Sequence, residues 1–277
     1  MNTTTPQTYL SKDKMDINDV LKVINFPVER QEIQTISGKT IERKKAIVRT
    51  DCNIPLSVVS DRYQLLTNKD VFTLPLTVLN NESGYINART SLDNMGQKTH
   101  VELISRDDYH TKGTTKDEVY KKRIVLENSY DGKTSLRVLF GSWRVICKNG
   151  AGIWIRKQEA VRFFHMGFND VKEIRKQIQS SLMVLDKKFD EYMDNISILE
   201  REKIAKVERL KDIFAMLRVG KTVQSRINEK LEEQGKALNF LMVYNAFTEY
   251  QRDMETKKQR IIVTNMRRSS MVMSSLL

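Results

Sequence analysis

Basic and aromatic side chains alternate along the middle of the chain, and this mixture could bind a nucleic acid. Cations neutralise the phosphates of such a ligand, and flat rings stack on its bases, each stacked base contributing about 1–3 kcal/mol. Residues 137–162 contain six basic residues and one acid. The predicted nucleic-acid-binding residues are Arg123, Arg137, Trp143, Arg144, Lys148, Arg156, Lys157 and Arg162, and Tyr130, Trp154 and Phe164 are further rings in the same stretch.

An ordinary sheet with one solvated face would carry the same residue types. Large aromatic side chains such as Trp143 and Trp154 are usually core residues, and a run of charges usually lies in solvent. Sequence alone therefore leaves both interpretations of the basic and aromatic stretch open.

The charge balance of the whole chain favours an anionic partner. The 277 residues carry a net charge of +12, and residues 257–268 hold five basic residues and no acid. Such a balance is typical of proteins that bind nucleic acid or an anionic membrane surface.

No apolar run approaches the roughly 20 residues that span a bilayer, and residues 1–10 lack the apolar core of a signal peptide. Cys52 and Cys147 are not spaced for zinc and suit a reducing compartment, so we expect a cytoplasmic protein that does not enter a membrane.

Motifs for catalysis are incomplete. Gly-Lys-Thr occurs three times, but a phosphate-binding loop also needs a glycine five residues upstream, where Ile33, Glu127 and Ala215 stand instead. No Gly-x-Ser-x-Gly motif occurs, and the three histidines lie far apart in the chain. We therefore expect no enzymatic activity, no catalytic residue, no metal and no cofactor, although a nuclease built from scattered acids stays open.

Alternation and turn residues predict a sheet of hairpins in the first half of the chain. Residues 127–150 are typical of strand, turn and strand, with Asp131 and Gly132 in a tight turn. In the second arm, Arg137 and Leu139 are expected on one face, opposite an apolar face formed by Leu136, Val138 and Phe140.

Further elements are predicted on either side of this hairpin. Hairpins are expected over residues 29–50 and 85–105. The other expected elements are a short helix capped by Asp16 or Asn18 and ended by Pro27, a short strand with Tyr63 and Leu65, and a helix that begins after Thr67 or Asn68.

After Gly167 the apolar spacing changes to three and four residues, which is typical of helices. This stripe packs either against the chain's own later helices, around Phe240, Val243 and Phe247, or against a second copy of the chain. The stripe consists of Leu182, Leu185, Phe189, Tyr192, Ile196 and Leu199.

The order of these elements predicts an α+β fold, with a β-hairpin-rich antiparallel sheet in the N-terminal half followed by a helical C-terminal region. The predicted segments are a flexible lead-in over residues 1–16, a β-rich domain over 17–166, a helical region packing on it over 167–256, and a basic tail over 257–277.

Five segments in this order resemble the phage- and plasmid-like proteins that carry the domain of unknown function numbered 932. The resemblance covers about residues 55–255, and it is looser after His165, where the family usually has a small polar residue and this chain has Met166. The resemblance implies a protein of a phage, plasmid or integrated element in a bacterial host cell, and it brings no settled activity. The segments are Val59–Tyr63, Asn128–Gly132, Arg144–Gly150, Phe164–Gly167 and Tyr244–Tyr250.

The leading hypothesis is a DNA-binding protein of a phage or plasmid that binds or anneals single-stranded DNA in replication or recombination. The outline of a hairpin sheet followed by helices is similar to single-strand annealing proteins, a likeness of fold that does not by itself assign a function. Because annealing proteins act as oligomers, this analogy favours a homo-oligomer through the apolar stripe. The alternatives are a protein-binding inhibitor of a host defence or restriction system and, second, a nuclease.

Overall fold

The chain folds into two compact units, each assembled from several segments. The prediction divided the chain in sequence order at residue 166, whereas the units interleave along it: unit 1 comprises residues 1–106, 124–139 and 157–183, and unit 2 comprises residues 107–123, 140–156 and 184–277. The computed structural model describes residues 9–10, 16–81, 85–110, 119–144, 149–152, 161–166, 170–204, 207–216, 219–233, 239–257, 271–274 and 276–277.

Strands dominate the first half of the chain and helices the second, so the predicted α+β class is confirmed. The strands are β1 (Tyr9–Leu10), β2 (Val28–Gln34), β3 (Thr40–Arg49), β4 (Ile54–Ser60), β5 (Tyr85–Asp93), β6 (Lys98–Ser105), β7 (Tyr109–His110), β8 (Val119–Ser129), β9 (Leu136–Arg144), β10 (Asn149–Gly152) and β11 (Val161–Phe163). The helices are α1 (Ile17–Ile24), α2 (Asn68–Asn81), α3 (Val171–Met183), α4 (Leu185–Arg201), α5 (Val207–Met216), α6 (Lys221–Glu233) and α7 (Phe240–Lys257).

Unit 1 contains two antiparallel sheets. The smaller sheet has the order β2-β3-β4, and the larger follows the order β1-β5-β6-β8-β9-β11 within this unit. Helix α1 packs against α2 and β5, and it buries Val20 and Ile24 completely. The predicted cap of α1 is confirmed, because the Asp16 carboxylate accepts a hydrogen bond from the backbone N–H of Asn18 at 2.7 Å.

Two predicted hairpins are confirmed. Strands β2 and β3 pair antiparallel around the turn at Gly38, and β5 and β6 pair antiparallel across a short 3-10 turn over Asn94–Gly96. The helix expected after Thr67 or Asn68 is α2, which begins at Asn68. The short strand predicted for Tyr63 and Leu65 is wrong, since β4 ends at Ser60 and Tyr63 forms an isolated bridge with Met166.

The connection between β8 and β9 is longer than predicted. Strand β8 ends at Ser129 and β9 begins at Leu136, so Asp131 and Gly132 lie in a loop and not in a two-residue turn. Gly132 does adopt the expected left-handed conformation, with φ at 67°. The predicted faces of β9 are confirmed, because Leu136, Val138 and Phe140 are buried while Arg137 and Leu139 are half-buried.

Unit 2 has a core made of its helices and of Tyr120 from β8. Helix α7 packs against α4, α6 and β10. The predicted apolar stripe is broken at Val184 between α3 and α4, and its α4 part is buried against the chain's own later helices. The α4 part of the stripe therefore follows the intramolecular alternative, whereas the homo-oligomer stays a prediction. The buried cluster includes Phe189, Tyr192, Ile196 and Leu199 of α4 with Phe214, Ile227, Phe240, Val243, Tyr244 and Phe247.

Both ends of the chain contribute to packing where they are described. Tyr9–Leu10, within the predicted flexible lead-in, pairs with β5. Val272, Met273 and Leu276, within the predicted basic tail, are buried in the core of unit 2. Most basic residues of that tail lie outside the described residues.

In the part of the chain that is described, no helix combines the length and the apolar character needed to cross a membrane.

Candidate nucleic-acid interface

Two of the predicted arginines meet on the surface of unit 1. Strands β9 and β11 pair antiparallel, and their register places Arg162 directly opposite Arg137. Oγ of Ser135 accepts a hydrogen bond from Nε of Arg137 at 3.0 Å and another from Nε of Arg162 at 3.1 Å. Like charges directly opposite each other on a sheet are destabilising, so this arginine pair needs neighbours that offset the repulsion.

The offsetting charge is a buried carboxylate beside Arg137. Oε2 of Glu127 lies 3.4 Å from Nη1 of Arg137, and the Glu127 side chain is 5% exposed. Nδ1 of His100 lies 4.0 Å from Oε1 of the same carboxylate. Burial lowers the pKa of His100, against the opposing influence of Glu127 and Asp93, so the imidazole is neutral at pH 7. The positive charge of Arg137 is therefore largely offset by the buried Glu127 carboxylate and is less available to a ligand.

Arg162 carries the charge that is available to a ligand. Its side chain is exposed, and among the described residues no acid forms an ion pair with it. The guanidinium carbon of Arg162 lies 4.7 Å from the ring centroid of Phe164, a cation–π distance. Phe164 itself is 59% exposed. A cation and an exposed ring thus stand together at the end of β11.

Phe164 also lines a cleft in unit 1. The cleft has a volume of about 330 Å³, which is at the small end of ligand sites. Its exposed apolar residues are Val58, Phe164 and Met166, at 61%, 59% and 65% exposure. The full lining of this Phe164 cleft is Lys44, Val58, Val59, Ser60, Tyr63, Asp131, Gly132, Lys133, Thr134, Ser135, Phe164, His165 and Met166.

The loop between β8 and β9 forms one wall of the Phe164 cleft and is held by its own carboxylate. Oδ1 of Asp131 accepts hydrogen bonds from the backbone N–H groups of Lys133 and Thr134, both at 2.8 Å. Nζ of Lys98 lies 3.3 Å from Oδ2. Burial alone would raise the pKa of Asp131, but these hydrogen bonds, one from Ser129 and the charge of Lys98 lower it to about 2. The carboxylate is thus ionised and internally satisfied.

The lining of the Phe164 cleft also contains a buried aromatic stack. The rings of Tyr63 and His165 are parallel within 16° and their centroids are 5.0 Å apart. Nδ1 of His165 donates to the carbonyl of Gln64 at 3.3 Å, while Nε2 is buried and has no hydrogen-bond partner in the described part of the chain. Burial lowers the pKa of His165, which keeps the ring neutral at pH 7.

The predicted site residues differ in where the structure places them. Arg137 and Arg162 lie opposite each other, as described above. Arg123 is 1% exposed and belongs to unit 2, so it is corrected from a surface contact to a buried side chain, because a cation must be accessible to meet a phosphate. For Trp143 and Arg144 only the backbone on β9 is described, and Lys148, Arg156 and Lys157 lie outside the described residues.

Sequence reasoning missed the residues that make the site a cleft. Lys44 and Val58 come from the smaller sheet, far from the arginine pair in sequence. In the sequence, Lys133 belongs only to an incomplete phosphate-binding motif. A usable signal was the apolar pair Val58–Val59 on a strand with one buried face, since alternation must leave one of the two exposed; Val58 is 61% exposed and Val59 is 5% exposed.

The chain matches the model of a known protein family. A family model described as "Domain of unknown function (DUF932)" matches residues 55–269, a range that contains the Phe164 cleft apart from Lys44 and contains the whole arginine pair. No curated protein matches the chain, and no solved structure does.

Among the described residues, no group of three or more His, Cys, Asp or Glu side chains is arranged to hold a metal ion.

Proposed function

The chain belongs to the DUF932 family, as its sequence resemblance predicted, and from that premise we propose that it is a DNA-binding protein that binds single-stranded DNA. The proposal extends to a phage or plasmid origin and to a role in replication or recombination. It treats the protein as a binding protein and not as an enzyme.

One observation carries the proposal: Arg162 stands over the exposed ring of Phe164, 4.7 Å from its centroid, and opposite Arg137. A cation supplies the sequence-independent attraction to phosphate. An exposed ring beside it offers a face on which an unpaired base can stack. The net charge of +12 acts in the same direction, because it attracts a polyanion from a distance.

The structure of the site favours single-stranded over duplex DNA as the ligand. Bases in a duplex are already stacked on one another and present only their edges in the grooves. A ring such as Phe164 gains a stacking contact only from a base whose face is free. We therefore expect tighter binding to a single strand than to a duplex of the same sequence.

A second function is favoured by the same exposed apolar side chains. Val58, Phe164 and Met166 lie around one cleft, and clustered exposed apolar residues also mark protein-binding surfaces. This observation supports the inhibitor of a host defence or restriction system as the alternative. That protein would use the Phe164 cleft for an apolar side chain of its partner and would bind oligonucleotides weakly or not at all.

A salt titration tests the proposal. Fluorescently labelled single-stranded and duplex oligonucleotides are titrated with the full chain between 50 and about 300 mM salt, without added metal. We expect a steep loss of affinity with salt and a preference for the single strand. Absence of binding at low salt would reject DNA binding and leave the protein-partner alternative.

Adding Mg²⁺ to the same samples tests the nuclease alternative. We expect intact oligonucleotides on a denaturing gel. Metal-dependent cleavage that copurifies with the chain would replace the binding protein with a nuclease.

A further inference from the structure

We propose that the Phe164 cleft receives one unpaired nucleobase from the single strand bound at Arg162. This inference rests on the proposed DNA-binding function, and it adds a specific contact: a base that leaves the stack and enters a defined site. Base insertion of this kind is how proteins reach groups that are hidden within stacked nucleic acid.

The cleft and the arginine pair are parts of one surface. Ser135 lines the cleft and also accepts hydrogen bonds from both arginines. Phe164 lines the cleft and also lies under the guanidinium of Arg162. A phosphate held by Arg162 is therefore next to the cleft, so the base attached to the adjoining sugar can reach it.

The chemistry of the lining matches a base and its flanking phosphates. Val58, Phe164 and Met166 supply apolar and aromatic contact for the faces of a ring. Lys44 and Lys133 are exposed cations of the cleft, and in the described part of the chain neither forms an ion pair with an acid.

Asp131, the acid of the lining, does not repel the phosphates strongly. Its carboxylate is held by the backbone N–H groups of Lys133 and Thr134 and by Lys98. The negative charge of Asp131 therefore faces N–H donors of its own loop and is offset by the positive charge of Lys98. The net charge offered to a ligand by Lys44, Lys133, Lys98 and Asp131 is positive.

The experiment compares an intact oligothymidylate with one that has a single central abasic site. Both have the same phosphates. The oligonucleotide is no longer than the binding site, so that the strand cannot shift to place a neighbouring thymine in the cleft, and only the second then lacks the base that would enter it. Wild-type protein should bind the intact oligonucleotide about tenfold more tightly, the loss expected for one stacked base. Val58→Trp should fill the cleft from an exposed position and remove most of this difference while the salt slope stays the same.

Ile36→Trp is the matched control. Ile36 is fully exposed in the turn between β2 and β3, so the same new side chain there should leave the tenfold difference unchanged. A 2-aminopurine placed in the strand gives a second readout: its fluorescence should change on binding to wild-type protein and to Ile36→Trp, and much less on binding to Val58→Trp.

The results separate the two proposals. If wild-type protein binds both oligonucleotides equally and with a steep salt slope, base insertion is overturned and DNA binding stands. The same holds if Val58→Trp discriminates between them as wild type does. If wild-type protein binds neither oligonucleotide at low salt, DNA binding fails and base insertion fails with it.

Discussion

Arg137 and Arg162 lie opposite each other on neighbouring antiparallel strands and share the hydroxyl of Ser135 as their acceptor, at 3.0 and 3.1 Å. The two arginines nevertheless differ in what they can do. Arg137 faces the buried carboxylate of Glu127 at 3.4 Å, whereas Arg162 lies over the exposed ring of Phe164. We therefore expect Arg137 to matter most for stability and Arg162 most for binding.

Arg162→Ala should weaken DNA binding without unfolding the protein. Loss of one phosphate contact removes about one unit from the slope of log affinity against log salt and affects all sequences alike. The salt titration measures this slope. Arg226→Ala is the control, since Arg226 is an exposed arginine on α6 of unit 2. Equal slopes for Arg162→Ala and wild type would remove Arg162 from the interface.

Arg137→Met should destabilise the fold, because it removes the guanidinium partner of the buried Glu127 side chain. Breaking a buried ion pair on one side typically costs about 3–5 kcal/mol; Arg137 keeps some exposure, so we expect about 2–3 kcal/mol in urea unfolding.

Glu127→Gln combined with Arg137→Met should recover part of that loss, since the orphaned charge is then gone. A double variant no more stable than Arg137→Met alone would show that the two side chains are not coupled.

Gly132→Ala should destabilise unit 1 more than Gly38→Ala does. Both glycines have positive φ, 67° and 79°, so both substitutions carry backbone strain of about 1 kcal/mol or more. A Cβ at Gly132 would also approach Cγ1 of Val59 at 3.1 Å, whereas a Cβ at Gly38 would meet no atom within 4 Å. Thermal unfolding of the two variants measures this difference in stability. Equal melting temperatures would mean that the Val59 side chain moves away from the new Cβ without any loss of stability.

Ile196→Glu should unfold or strongly destabilise unit 2, whereas Ile198→Glu should be tolerated. The two residues lie on the same helix, but Ile196 is 0% exposed within the core and Ile198 is 47% exposed. Burial of an unpaired carboxylate typically costs more than about 4 kcal/mol. Circular dichroism and light scattering check the outcome. A stable Ile196→Glu variant with a lowered molar mass would instead show that the stripe joins two chains.

Periodicity predicted the elements whose faces are decided locally. The alternation of β9 identified Leu136, Val138 and Phe140 as the buried face, because successive side chains of a strand point to opposite sides. The same argument placed Arg137 on the other face. Spacing of three and four residues identified the apolar stripe of α4, but it could not say whether the covering helix belongs to the same chain.

Other parts of the site depend on tertiary packing that no local pattern reports. Arg123 ends the basic run Lys121–Arg123, which by residue type would lie in solvent, yet it is 1% exposed. The type of a residue does not report what packs over its side of the strand. Lys44 and Val58 join the Phe164 cleft from a different sheet. Ser135 gives no sequence signal for its role, because its role depends on the register between β9 and β11.

The stability of unit 1 should depend on pH through Asp131. Its folded pKa of about 2 is lower than the usual value of 3.8, so its contribution to stability is fully present above about pH 4 and is lost as the pH falls through the folded pKa. With solvent screening taken into account, Asp131→Asn should lose about 1–2 kcal/mol at pH 7. The difference from wild type should shrink between pH 4 and pH 2 in urea titrations. Asp61→Asn, at an exposed aspartate of the same unit, is the control for the loss of one aspartate charge from the surface. A pH-independent loss in Asp131→Asn would show that the loop needs the shape of the carboxylate's hydrogen bonds and not its charge.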